Sequence, residues 1–260
     1  MAQAQPTERM EYQPIRTPDV LNTHTAAAFS WLRQGAQDFA HAPLLSLAYG
    51  LIFALLCAGI AYASLNRPEL TLTFMASLLI VGPFLATGLY QVASLRGQGK
   101  PFSLRDNLRF LSRHKTRVAV FVLMLLLITM AWIRLSSLIV AVYFGQVSPE
   151  MGMFAGAFGS TEGVRFATPL LITAVLFGFL LFAASALSLP MIVDGRAEMI
   201  PAFITSLKSI IKQPLTMLVW AGLIVGLNLI GIATLFIGLV FIFPLLGYAT
   251  WHSYQDMVKS

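Results

Sequence analysis

From Pro214 to Tyr254 the chain carries no Asp, Glu, Lys or Arg. At ~1.5 Å per residue, one helix of that length reaches about twice the ~30 Å of a bilayer's hydrocarbon layer. The stretch must therefore double back, and Asn228 and Gly231 offer the turn. It has company: several other runs of the chain are as apolar and as long as a membrane-crossing helix of about 20 residues. Of 260 residues, 57% are hydrophobic and 11% charged, where soluble domains carry about 25% charged residues. This is a membrane composition, and the fold class it predicts is all-α and polytopic.

Residues 1–23 are polar, with Pro6, Pro14 and Pro18, and bury too little surface to fix a conformation; they read as a cytoplasmic tail. Residues 24–256 read as one transmembrane domain with spans at about 44–65, 70–95, 118–143, 166–193, 214–229 and 232–254. Pro43 suits the first turn of span one, and Asn66 to Glu69 makes a tight turn into span two, which Gly82-Pro83 kinks. "FGQVSPEMGMFAGAFGSTEGVRF" reads as a long loop on the far side.

Three segments between the spans have helical amphipathic spacing. In "TAAAFSWLRQGAQDFAHA" Phe29, Leu32, Ala36 and Phe39 oppose Arg33, Gln37 and Asp38. In the second, Phe102, Leu104, Leu108 and Leu111 oppose Arg105, Arg109 and Arg113. In the third, Phe203, Leu207, Ile210 and Ile211 oppose Thr205, Lys208 and Lys212. Each suits a helix lying on the membrane surface. The six spans thus form three hairpins, each preceded by an interfacial helix, and "HAPLL" and "KQPLT" mark two of the boundaries. The pattern suggests a threefold internal repeat.

The net charge of +6 is concentrated in two loops. Arg96, Lys100, Arg105, Arg109, Arg113, Lys115 and Arg117 lie in one, and Arg196, Lys208 and Lys212 in the other; the opposite side offers Arg67 and Arg165. The positive-inside rule then puts both termini in the cytoplasm of a bacterial inner membrane. Arg105, Arg109, Arg113, Lys115, Arg117, Lys208 and Lys212 are expected to meet anionic lipid headgroups, so no nucleic-acid partner is needed. The first 43 residues contain no apolar core of a secretory signal, and span one is expected to serve as the insertion signal.

Candidate chemistry is sparse. The sole cysteine, Cys57, lies in an apolar run and forms no thiolate cage. "RGQGK" lacks the preceding strand and the Lys-Ser/Thr ending of a phosphate loop and reads as a turn. His41, His114 and His252 fall near the inner interface, with Asp38 and Asp256 beside two of them, so they are the candidates for a metal; no local two-ligand spacing supports it. Tyr248, Trp251 and Tyr254 around His252 suit an aromatic belt at the interface. Arg134, in the outer half of span three beside Trp132, Ser136 and Ser137, either snorkels outward or lines an anion path with Asn228. "GLIVG" and "AASA" offer small-residue surfaces for helix packing, within the chain or in a homo-oligomer.

"WLRQGAQDF" with "SLAYGLIFA", "GPFLATGLY" and "GYATWHSYQD" together resemble a bacterial family of six-span integral membrane proteins catalogued as a domain of unknown function. Some of its members carry the label cytochrome c oxidase subunit I-like. The resemblance implies Gly-His where this chain has Gly247-Tyr248, which leaves His252 as the histidine of the motif. The oxidase activity does not transfer, since haem and copper subunits need about a dozen spans and several mid-membrane histidines, and none stands at mid-span here.

The reading of function is a non-enzymatic accessory, assembly or envelope-homeostasis factor without cofactor, with a membrane-protein partner or a homo-oligomer as the expected association. The alternatives are a small transporter or channel using Arg134, Asn228 and kinks at Pro83, Pro190 and Pro244, and a respiratory-complex-associated or metal-binding protein.

Overall fold

The computed structural model describes residues 17–66, 71–144 and 161–258. These form helices α1 (Ala27–His41), α2 (Pro43–Asn66), α3 (Thr71–Gly97), α4 (Leu104–Phe144), α5 (Thr161–Ser185), α6 (Ser188–Val193), α7 (Met199–Lys212), α8 (Pro214–Ala233) and α9 (Leu239–Met257). No strand occurs among the described residues. A single antiparallel bridge joins Val20 to Val258.

Four of these stretches are long and apolar enough to cross a membrane: Pro43–Leu65, Leu104–Val142, Ala167–Val193 and Pro214–Ala233. In the most apolar 18 residues of each, no more than 28% are buried inside the protein. Many others, including Leu123, Leu127, Leu171, Val175, Leu218 and Leu229, are exposed, and only hydrocarbon solvates such apolar surface without cost. Helix α9 packs on α1, α2, α3, α6 and α8, and α3, α4 and α5 follow one another around it.

Two surface helices join their spans through the same backbone geometry. Ala42 (φ −131°, ψ 61°) precedes Pro43, and Gln213 (φ −130°, ψ 53°) precedes Pro214. Proline removes the next ladder donor and pushes the residue before it out of the helical region, so a corner forms. The second boundary has no proline. There the surface segment and span three fuse into the 41-residue α4, which corrects the expected separate interfacial helix.

Other boundaries also differ from expectation. The chain does not turn at Asn228 and Gly231: α8 runs on to Ala233, and the turn occupies 234–238, with Leu235 and Phe236 at φ 54° and 69°. The expected far-side loop gives way to helix from Thr161. Span four breaks after Ser185 and resumes as α6. Most of the Asn66 to Glu69 turn and residues 145–160 lie outside the described residues.

Within the expected tail of residues 1–23, the described residues 20–22 make specific contacts. Leu21 N–H donates to the Met257 carbonyl at 2.9 Å, and Gln213 Nε2 donates to the Leu21 carbonyl and to Asn22 Oδ1, both at 3.1 Å. Residues 20–22 are therefore fixed against the end of α9 and the start of α8.

In α1 and α7, residues assigned to the polar faces, Asp38 and Thr205, pack into the bundle. Ala28, Trp31, Gly35 and Asp38 are buried, while Phe29 is 59% exposed. In α7, Ala202, Thr205, Ser206 and Ser209 are buried and Ile211 is 71% exposed. For a helix with a bundle on one side and lipid on the other, the apolar stripe can face lipid, and small and polar residues can face protein where they find partners.

Candidate functional site

Helix α9 ends in "GYATWHSYQD", and nearly every side chain of that motif contacts a different element. Gly247 meets α3, where a Cβ would come 2.6 Å from Leu89. Tyr248 reaches α2: Ser46 Oγ gives its proton to the Ala42 carbonyl at 2.8 Å, so the Tyr248 hydroxyl donates to Ser46, also at 2.8 Å. Ala249 lies against Gly35 of α1, whose missing Cβ would stand 2.8 Å from the Leu245 carbonyl. Trp251 stacks on Tyr90 at 6.1 Å between centroids. Tyr254 donates to Asp194 Oδ2 at 2.5 Å, the same oxygen that Arg196 Nε meets at 2.7 Å. Asp256 accepts from Trp31 Nε1 at 2.9 Å.

At the centre of this knot is Asp38, 1% exposed. Its Oδ1 is ion-paired with Arg96 of α3, and its Oδ2 lies 2.6 Å from His252 Nε2. A carboxylate can only accept, so the proton of that bond sits on Nε2. Burying a carboxylate is tolerable only when both oxygens are satisfied, and here α3 and α9 supply one partner each. A second polar cluster adjoins. Tyr49 donates to Asn107 Oδ1 at 2.6 Å, and Asn107 Nδ2 donates to the Gly88 carbonyl at 2.9 Å and to Gln91 Oε1 at 2.8 Å. Gly88 lets the Tyr49 ring pass, since a Cβ there would lie 2.2 Å from the hydroxyl.

The histidines named from sequence stand in three separate settings. His41 is exposed. His114 donates from Nδ1 to the Phe110 carbonyl at 2.9 Å, its ring against that of Phe110. His252 is bound to Asp38. Among the described residues no three His, Cys, Asp or Glu side chains gather as a metal-holding group. Tyr248, Trp251 and Tyr254 are buried in protein instead of forming a belt toward lipid: the two tyrosine hydroxyls reach Ser46 and Asp194, and the Trp251 ring lies against Tyr90 and Tyr254. Arg105, Arg109, Arg113, Lys115, Arg117, Lys208 and Lys212 are all exposed, and Lys208 also reaches Thr17 Oγ1 at 2.7 Å. Gly222 and Gly226 of "GLIVG" have open space at their Cβ positions.

The knot members that sequence reasoning left without this role are Asp38, Arg96, Ser46, Asn107, Asp194 and Asp256. A usable signal existed in α1: Trp31, Gly35 and Asp38 at i, i+4 and i+7 place a gap for a neighbouring helix between two polar anchors.

Above the knot, a cavity of about 350 Å³ opens at the middle of the bundle. All six long helices contribute a wall, with Phe53, Pro83, Phe121, Phe182, Trp220 and Phe243 as one residue from each of α2, α3, α4, α5, α8 and α9. Three of its polar side chains are turned back on their own helices: Ser185 on the Leu181 carbonyl, Asn228 on that of Ile224 and Thr250 on that of Leu246; the buried Trp220 indole N–H has no partner among the described residues. Arg134 is exposed and stands outside these walls.

Neither the comparison with curated proteins nor that with solved structures yields a match. Residues 70–194 match the model of a family described as "Predicted integral membrane protein (DUF2189)". The matched segment runs from α3 through α6 and supplies the cavity's Pro83, Tyr90, Phe121 and Phe182 and the knot's Arg96, Asn107 and Asp194. The chain is thus an integral membrane protein, and the family matched is an unknown-function membrane family of the kind its sequence resembles.

Proposed function

We propose that the protein is a six-span factor of the bacterial inner membrane, with both termini in the cytoplasm, acting as a non-enzymatic accessory, assembly or envelope-homeostasis component. The observation that carries this reading is the knot on α9. Its ionisable and hydrogen-bonding side chains are committed to joining α1, α2, α3 and the loop after α6, where an enzyme would keep such groups for substrate. The Val20–Val258 bridge supports an even number of crossings, and α3 and α9 added to the four most apolar stretches make six. The basic residues 96–117 and 196–212 supply the orientation, and the exposed arginines and lysines among them suit anionic headgroups.

The transport reading has less support, since Asn228 lines the central cavity and Arg134 does not. Reporter fusions after residue 105 and after Ser260 test the topology: both are expected to report cytoplasm, and a periplasmic signal from either overturns it. Mild-detergent purification from native membranes tests the accessory role. A stoichiometric membrane-protein partner is the expected result; a lone protein that turns over a small molecule, with activity lost in Asp38→Asn at unchanged stability, overturns it.

A further inference from the structure

The central cavity adjoins a second, polar one of about 360 Å³ at the basic end of the bundle, and Tyr90 lines both. We propose that the two form one binding site for a single-chain amphiphile, its hydrocarbon tail in the central cavity and an uncharged, hydrogen-bonding head in the polar pocket. Tyr90, stacked on Trp251, marks the boundary between them.

The tail follows from the walls. Six helices line a space in which Ser185, Asn228 and Thr250 bond to their own backbone carbonyls and the buried Trp220 indole N–H has no partner among the described residues, so water finds few partners there. Hydrocarbon is the solvent that surrounds the bundle and fits aromatic and aliphatic walls. Gly82, beside Pro83 within α3, leaves the space open: a Cβ there would meet nothing nearer than the Phe53 ring at 3.9 Å.

The head follows from what the polar pocket offers. Its walls include Gln91, Ser94, Gln98, His114 and Asp194. The Asp194 carboxylate already holds Arg196 and Tyr254, and no lysine or arginine lines the pocket itself; the neighbouring Lys100 is engaged by Gln98 Oε1 at 2.7 Å, so an uncharged head suits these walls better than a phosphate or carboxylate. Gln91 accepts from Asn107 through Oε1 and retains its amide donors. His114 donates from Nδ1, which in the neutral ring leaves Nε2 as an acceptor. Donor and acceptor side by side suit a hydroxyl or ester head.

Tryptophan fluorescence of the full chain in lipid nanodiscs tests this, because Trp220 lines the tail cavity and Trp251 the head pocket. The probe is a monoacylglycerol brominated at mid-chain, compared with a brominated fatty acid anion and a brominated diacyl phosphatidylcholine. Saturable quenching by the monoacylglycerol alone is expected. Gly82→Leu, and independently Ala86→Phe, should fill the cavity and remove the saturable part without lowering the melting temperature, and Trp220→Phe should remove most of the signal. His114→Ala should weaken the apparent affinity about fivefold, the worth of one hydrogen bond, at unchanged maximal quenching. Quenching that never saturates, that follows the bulk share of each lipid equally, or that survives both filling variants overturns the proposal, as does water occupancy with no probe effect. Tighter binding of the anionic probe overturns the neutral head.

Discussion

Asp38 concentrates in one side chain what the bundle gains from polar contacts. Removing one member of a buried ion pair leaves the others uncompensated, at about 3–5 kcal/mol when all are dry. Arg96 and His252 keep 32% and 19% of their side chains exposed, so Asp38→Leu is expected to cost less, about 2 kcal/mol, measured by thermal unfolding in nanodiscs. In a double-mutant cycle, Asp38→Asn and His252→Gln should be non-additive by about 0.5–3 kcal/mol, the range for residues in one network. Additive effects would mean that the contact contributes nothing. Glycines give a second contrast. At Gly50 a Cβ would stand 1.9 Å from the Val240 carbonyl, whereas at Gly59 nothing lies within 4 Å. Gly50→Ala should force α2 and α9 apart and lower the melting temperature sharply, beyond the ~1–3 kcal/mol typical of overpacking. Gly59→Ala, in the same helix, should be neutral or stabilise by up to about 1 kcal/mol through helix propensity.

At the scale of helices, α1 and α7 make the clearest prediction. Nitroxide labels at Phe29 and Ile211 should be mobile and open to membrane-dissolved oxygen, and labels at Ala28 and Ser209 should be immobilised. The reverse pattern would contradict the buried stripes of both helices. What sequence left open there has a physical cause. Apolar runs announce spans because bilayer thickness fixes their length, and Pro43 and Pro214 mark corners by local sterics; both were legible. Which stripe of Phe29, Leu32 and Phe39 against Trp31, Gly35 and Asp38 faces inward was not, since lipid removes the rule that apolar means inside. The fused α4 was readable in hindsight from a boundary without proline. The turn at Leu235 and Phe236 carried no glycine or asparagine at its left-handed positions, so Asn228 and Gly231 drew the expectation upstream. The knot was illegible for another reason: Asp38 and His252 are 214 residues apart, and no periodicity connects them.

For the whole molecule, the fixing of residues 20–22 against Val258 and Gln213 sets a boundary for truncation. Compared with a chain lacking residues 1–16, one lacking residues 1–23 uncovers Val258, 1% exposed, takes away the acceptors of Gln213, and should melt several degrees lower; equal melting of the two would show that residues 17–23 contribute nothing. The placing of the knot has a further outcome. The ribosome makes α9 after every helix it fastens, so α1 to α8 must reside in the bilayer with Asp38 lacking His252, Trp31 lacking Asp256 and Asp194 lacking Tyr254. Maturation is then a single late event, and a chain stalled before Gly247 would present those orphaned groups to the proteases that survey unfinished membrane proteins.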